Sequence, residues 1–296
     1  MIKTTFLGTS GSAPTAERGL PSVAIECNGG LYLFDCGEGT QRQVMKYSVN
    51  LSRLKAIFLS HIHGDHSIGI AGVVRTLALN RRTAPLEIYV PKGEIDAISQ
   101  LLKFDRVMLG YKITVKPIKT GVIFKGREFK VSAFRLIHSI GAYGFVFQAD
   151  DRLHFIKQKA EAAGLKGAMF SKLQERGKMT INGKQVRLSS VTTREAGTKI
   201  VYSTDTRPSK EIIAASKGAD LMICESTYAN SEQRLAVERK HSTAEEAAMM
   251  ARKSKAKRLI ITHISTRYKN PSTLLSEAKC IFGNTELASD GLAISI

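Results

Sequence analysis

Apolar positions along this chain fall mainly into short, β-rich runs separated by turn residues. IKTTFLG, SVAIEC, LYLFDC, AIFLS, LEIYV, YKITVKPI, FKVSAFRLI, YGFVFQA, KIVYS, LMICE and RLIIT read as strands, because branched and aromatic residues dominate them. Between them the apolar spacing lengthens to a helical period in GTQRQVMKY, IGIAGVVRTLAL, GEIDAISQLLKF, STAEEAAMMARKS and PSTLLSEAKCIF. Ser242 and Glu245 have the spacing of a capping box for the fourth of these helices. Pro271 suits the first turn of the fifth. This alternation predicts a mixed α/β fold in which two sheets are covered by outer helices.

One stretch breaks the rhythm. Residues 152–187 carry nine Lys/Arg against two Glu. The pattern there is a short helix, a Gly-containing turn, a second short helix and a hairpin at Asn182-Gly183. Two readings stand: a solvated excursion, or a basic arm that grips nucleic acid.

Composition narrows the choices. A chain of 296 residues, 43% of them hydrophobic, can bury a large core as one α/β domain or two smaller ones. No apolar run reaches the roughly 18–20 residues needed to span a bilayer, so no membrane partner is expected. The start, MIKTTFLGTS, reads as a first strand, and a cytoplasmic location is expected. The charge balance of 44 − 26 = +18 favours a polyanionic partner, nucleic acid first and an anionic membrane surface second. Cys27, Cys36, Cys224 and Cys280 form no C-x-x-C pair, and reduced, mostly buried thiols are expected.

Candidate chemistry concentrates at LSHIHGDH. His61, His63, Asp65 and His66 lie within six positions of a chain with only seven histidines. If this segment follows directly on the strand AIFLS, His61 and His63 point the same way, because side chains alternate along extended chain. Gly64 then permits a turn that offers Asp65 and His66 to a second position. Imidazole and carboxylate are the ligand types of zinc and its neighbours. Other strand-like runs end in the same kinds of residue: FKVSAFRLI at His138, KIVYST at Asp205, LMIC at Glu225 and RLIIT at His263. Packed in sheets, those ends gather at one edge. Two metals roughly 3.5–4 Å apart would deprotonate a bridging water near neutral pH and hold the oxygens of an in-line displacement at phosphorus. The same device serves amide or thioester hydrolysis, so the metals alone do not choose a substrate.

The chain resembles the metallo-β-lactamase fold and, more narrowly, the tRNase Z family, whose members trim the 3′ trailer from precursor tRNA. The resemblance rests on FLGTSGSAPT, LFDCGEGTQRQ, SHIHGDHSIGI, HSIGAYGF, YSTDT, CESTY, HSTAEEA, HISTRY and ASDG, which occur in order over nearly the whole length. It implies an αββα four-layer sandwich, a single domain over 1–296 with a flexible arm inserted at 151–190. It implies two Zn2+ per subunit. His61, His63 and His138 would hold one ion; Asp65, His66 and His263 would hold the other; Asp205 would bridge them. Asp65 would also orient the attacking hydroxide. Glu225 and His241 would deliver a proton to the leaving 3′ oxygen. A histidine held by a carboxylate suits that task, because its pKa lies near working pH. Ser242 and Thr243, at a helix start, would face phosphate; Arg267 and Tyr268 would contact the scissile region or acceptor stem. The arm, with Lys166, Lys172, Arg176 and Lys178, would clamp the tRNA elbow, since duplex RNA is read largely through shape and phosphates. Ala168 stands where a proline is common, and Cys224 where many relatives carry His. The family acts as a homodimer, and the same is expected here.

Two motifs stay open. GTSGSAPT lacks the Lys-Ser/Thr of a phosphate loop and is expected as a turn lining the site. In EGTQRQ, Glu38 and Arg42 fit a structural and a functional role equally.

Overall fold

The computed structural model describes residues 2–103 and 108–296, and divides into two compact units, Met1–Gln148 with Lys199–Ile296, and Ala149–Thr198. In the larger unit two seven-stranded sheets carry the architecture. The first runs Ala293–Ser295, Lys3–Gly8, Ser22–Cys27, Gly30–Phe34, Leu54–Phe58, Leu86–Pro91 and Ile113–Ile118 in spatial order. The second runs Thr285–Leu287, Leu259–Thr262, Leu221–Glu225, Lys199–Ser203, Ala142–Ala149, Phe129–Leu136 and Gly121–Gly126.

Both faces of the central strands are buried, which explains their near-continuous apolar runs. Gly30–Phe34 shows the division of labour. Tyr32 and Phe34 point inward, where Phe34 packs against Phe58 (5.1 Å between ring centres), Phe145 (5.6 Å) and Tyr202 (6.1 Å), joining the two sheets. Leu31 and Leu33 point outward into a cluster with Val44, Ile70, Val73, Val74, Leu77, Ile98 and Leu102. Those residues belong to the helices Thr40–Lys46, Ile70–Leu79 and Ile95–Lys103. Across the molecule Val201, Met222, Leu259 and Ile261 meet the helices Lys210–Ala215, Ala244–Ser254 and Ser272–Ile281. The layers are therefore helix, sheet, sheet, helix.

The expected strands are present. Phe104, the last residue of the predicted helix GEIDAISQLLKF, lies outside the described residues. Sequence reading misses the strand Gly121–Gly126, only half-buried along its length, and the helices Lys210–Ala215 and Gln233–Arg239, each too short to show a period. The capping box sits one residue later than predicted. Thr243, not Ser242, is the N-cap, and Glu246, not Glu245, closes the reciprocal bond. Ser242 instead donates to the Thr206 carbonyl. Pro271 is the N-cap of its helix rather than its first helical residue.

The smaller unit contains the helices Lys157–Ala162 and Met169–Arg176, a hairpin of Lys178–Ile181 with Lys184–Arg187, and a second strand pair, Arg152–Phe155 with Thr192–Glu195. It has its own small core of Ala160, Leu165, Leu173, Ile181, Val186 and Val191. No helix of the described residues is long and apolar enough to cross a membrane.

Candidate metal and catalytic centre

Parallel pairing aligns the ends of the strands that carry the candidate ligands. Ser203 pairs with Cys224, and Glu225 with Thr262, so Asp205, Glu225 and His263 emerge at one edge of the second sheet. His61 follows the strand Leu54–Phe58 of the first sheet and His138 follows Phe129–Leu136. The turn bearing Asp65 and His66 fits beneath this edge because two glycines let backbones touch. A Cβ at Gly69 would lie 1.9 Å from the Gly37 carbonyl oxygen, and one at Gly37 would lie 2.3 Å from that of Asp65.

Ligand-type atoms then gather into three groups whose members lie within 4.8 Å of one another: His61, His63, His138 and Asp205; Asp65, His66 and His263; and Asp205, His241 and His263. Asp205 reaches all three. Its Oδ2 lies 3.7 Å from His61 Nε2 and 3.8 Å from His138 Nε2. Its Oδ1 lies 3.2 Å from His66 Nε2 and 3.1 Å from His263 Nε2. Asp65 Oδ2 accepts from the Ser12 amide at 2.9 Å and lies 3.5 Å from His66 Nε2. The GTSGSAPT turn, with Ser12 in the left-handed region (φ 64°), thus lines the centre.

The far sides of the rings decide which nitrogen faces inward. His61 Nδ1 lies 2.9 Å from Ser60 Oγ, whose own proton goes to Asp35. His66 Nδ1 lies 2.7 Å from Asp35 Oδ2, His263 Nδ1 2.9 Å from Thr227 Oγ1, and His138 Nδ1 3.2 Å from the Lys240 carbonyl. Each outer partner can accept from Nδ1, which leaves Nε2 as the nitrogen that would meet a metal. Such partners are what fix metal-binding imidazoles. His63 contributes its Nδ1, 3.0 Å from His61 Nε2 and 3.3 Å from His138 Nε2.

Electrostatics completes the donor set. Burial and the neighbouring imidazoles hold the His61 pKa well below its ordinary value, and burial lowers that of His138. Burial alone would raise the Asp65 and Asp205 carboxyls. The imidazoles of His263 and His66 more than reverse this, leaving both well below the usual carboxylate range. Burial works against charge on His66, but the Asp205 and Asp35 carboxylates raise its pKa well above the ordinary value, so a bound metal would displace its proton. Imidazoles and ionised carboxylates converging on two points fit divalent metal ions.

Beside this cluster His241 Nδ1 lies 3.0 Å from Glu225 Oε1. Glu225 is wholly buried and also accepts from the Thr206 amide (2.6 Å) and the Thr227 hydroxyl (2.6 Å). Burial works against charge on His241, but the Glu225 carboxylate, by charge and hydrogen bond, pushes its pKa up to about 9. A cleft of about 840 Å³ opens over His63, Asp65, His138, Asp205 and His241, with Glu38, Tyr228 and Arg239 on its walls.

Residues expected to touch substrate divide. Lys166, Lys172, Arg176 and Lys178 are exposed on the smaller unit. Ser242 and Thr243 are buried, and their side chains serve the protein: Ser242 ties the His241 segment to the Asp205 loop, and Thr243 caps a helix. The Thr243 amide is likewise taken, by Glu246. Arg267 and Tyr268 both engage Glu232, and Arg267 lies over the Tyr228 ring at 4.9 Å. His154 pairs with Glu195 within the smaller unit at 2.6 Å. Cys27, Cys36 and Cys224 are buried, and Cys280 is exposed. Sequence reading gives no role to Asp35 or Thr227, although both lie in the motifs LFDCGEG and CESTY. Their partners come from strands far apart in sequence, so only the fold reveals their work.

This fold and this cluster define a metallo-β-lactamase-type hydrolase. A family model described as "Anti-Pycsar protein Apyc1" matches residues 2–160, and one described as "Beta-lactamase superfamily domain" matches residues 156–264. The ribonuclease Z of Archaeoglobus fulgidus is 38% identical over all of this chain and 98% of its own length. That of Methanothermobacter thermautotrophicus is 36% identical over all of this chain and 97% of its length. The crystal structure of human tRNase Z, short form, matches with a TM-score of 0.73 at 28% identity, covering 99% of each chain. The chain belongs to the ribonuclease Z family, and it is a nuclease acting on phosphodiester bonds.

Proposed function

We propose that this protein is a zinc-dependent endoribonuclease that removes the 3′ trailer from precursor tRNA, working in the cytoplasm as a homodimer. The observation that carries the reading is the division of the Asp205 carboxylate between two histidine groups, next to the Glu225–His241 pair. Full-length likeness to ribonucleases Z supports the tRNA substrate. Imidazole and carboxylate donors support zinc.

His61, His63 and His138 would hold one ion, Asp65, His66 and His263 the other, with Asp205 between them. When bound, such ions supply a water acidic enough to attack near neutral pH and neutralise charge on the phosphodiester. Asp65, oriented by the Ser12 amide, would accept a hydrogen bond from the attacking water and aim it. His241, kept protonated by Glu225, gives its proton to the departing 3′ oxygen. The basic unit Ala149–Thr198 grips the tRNA through phosphates, using Lys166, Lys172, Arg176 and Lys178. Arg267, held by Glu232, shapes the wall near the acceptor stem.

One rival is a small-molecule hydrolase or a general phosphodiesterase on the same fold. That enzyme has no use for nine cations in residues 152–187. The deciding experiment maps the ends produced from a precursor tRNA with a 3′ trailer. Chelated enzyme, enzyme with zinc restored and an unstructured RNA of equal length serve as controls. One metal-dependent cut at the end of the acceptor stem, absent from the unstructured RNA, is expected. Hydrolysis of small diesters without that cut would favour the rival.

A further inference from the structure

A second cleft, of about 1000 Å³, lies at the opposite ends of the first-sheet strands from the metal cluster. It is built where the strands Gly30–Phe34, Leu54–Phe58, Leu86–Pro91 and Ile113–Ile118 begin, and is closed by the strand Gly121–Gly126 of the second sheet. Two hairpin turns are pinned together at its rim: Asn28 Nδ2 donates to the Arg127 carbonyl at 2.6 Å. Both turns use left-handed residues, Asn28 and Gly29 in one and Glu128 in the other. Tyr32 and Phe124 meet edge to face at 5.6 Å across the gap between the sheets and form a firm floor.

Charge is the distinctive feature. Five cations line this cleft against one acid, Glu87. Glu87 is already committed to Lys116 and to the Tyr89 hydroxyl. Lys55, Lys112, Lys125 and Arg127 are exposed, and none has a carboxylate partner among the described residues. Lys55 and Lys112 stand at the starts of strands two places apart in the sheet, which sets them about 10 Å apart. Lys125 and Arg127 face them from the other sheet. A concave surface with cations on two walls, and no cut-site chemistry of its own, fits a chain of phosphates better than one compact anion.

We propose that this cleft holds single-stranded RNA, namely the 3′ trailer of the precursor beyond the cut, and so makes affinity depend on trailer length. The inference rests on the tRNA reading above. Strands of this sheet are roughly 17–20 Å long, so a trailer of only two or three nucleotides does not reach from the metal cluster to the cleft. A longer one follows the flank of the sandwich to it.

The test uses the zinc-loaded enzyme and a quadruple variant, Lys55→Gln, Lys112→Gln, Lys125→Gln and Arg127→Gln. A second quadruple variant, Lys210→Gln, Lys217→Gln, Lys253→Gln and Lys279→Gln, lowers the net charge equally, from +18 to 18 − 4 = +14, at exposed positions elsewhere. The probe is a fluorescent, 2′-O-methylated 12-nucleotide strand that resists cleavage, read by anisotropy over a salt series. The cleft variant is expected to bind at least tenfold more weakly than the control variant. Its salt slope should fall by about 2–3, at roughly 0.7 for each phosphate the variant no longer neutralises. Cleavage of precursors with three- and fifteen-nucleotide trailers is the second reading. The parent and control should show a lower KM for the long trailer, and the cleft variant the same KM for both, with kcat unchanged on the short one. Equal probe binding by the two variants, or equal trailer dependence, overturns the proposal. If the parent cuts no precursor tRNA, the functional reading fails instead, and the probe arm still decides whether this cleft binds RNA.

Discussion

Asp35 and His66 face each other at 2.7 Å with both side chains wholly buried. The carboxylate also accepts from the Ser60 amide, the Ser60 hydroxyl and the Tyr202 hydroxyl. It therefore orients two imidazoles at once, His66 directly and His61 through Ser60. Asp35 itself sits in the left-handed region (φ 58°), which Asn also tolerates. Asp35→Asn should keep the fold and weaken zinc binding about 10- to 100-fold. Competition against a zinc-sensitive dye measures it. Parental affinity would show that this carboxylate serves packing alone.

The split contacts of Asp205 predict unequal losses among the ligands. His138→Ala should cost one ion and Asp205→Ala both, as measured by elemental analysis after dialysis against dilute zinc. Equal metal content in the two variants would mean that Asp205 does not join the sites.

The Glu225–His241 pair has a definite pH signature. His241 is raised from its ordinary value of 6.5 to about 9, and Glu225 is lowered by the same contact. A raised histidine adds stability that is fully present below about pH 6.5 and is lost as pH climbs through about 9. In metal-free protein followed by NMR, His241 should titrate near 9. In Glu225→Gln it should fall, because only the more distant Asp205 carboxylate, 4.0 Å away, then opposes burial. A titration unmoved by the substitution would remove Glu225 as the cause.

Register at the helix Ala244–Ser254 can be checked by stability. Glu246→Ala breaks the cap on Thr243 and strands Arg207, which pairs with Glu246 in a partly buried setting. It should cost about 2 kcal/mol in urea unfolding. Glu245→Ala, which loses only a favourable placement in the first turn, should cost under about 1 kcal/mol. The reverse order would restore the register read from sequence.

Neutralising Lys166, Lys172, Arg176 and Lys178 together should weaken binding of precursor tRNA more than tenfold at moderate salt. Turnover of a small chromogenic phosphodiester should not change. Unaltered tRNA affinity would strip the smaller unit of its proposed role.

Much of the architecture is legible in the chain alone. Strands such as Leu221–Glu225 announce themselves because burial on both faces demands unbroken apolar runs. Histidines and aspartates at strand ends stand out because parallel sheets bring such ends together. What stays hidden depends on three-dimensional convergence. Asp35 collects donors 25, 31 and 167 positions away, and no local pattern encodes that. Ser242 reads as a cap because its neighbours allow either register; the buried Thr206 carbonyl decides the matter. Lys55, Lys112, Lys125 and Arg127 read as ordinary surface charge until two sheets place them around one hollow.

Thr227 has a consequence beyond holding a ring. Its hydroxyl donates a hydrogen bond to Glu225 Oε2 and can accept one from His263 Nδ1. Glu225 in turn accepts from His241. The hydrogen-bond chain therefore runs from a ligand histidine at one end and from the acid histidine at the other toward the same buried carboxylate. One buried carboxylate thus anchors both a ligand ring and the proposed acid, and Thr227→Val cuts the arm that leads to His263.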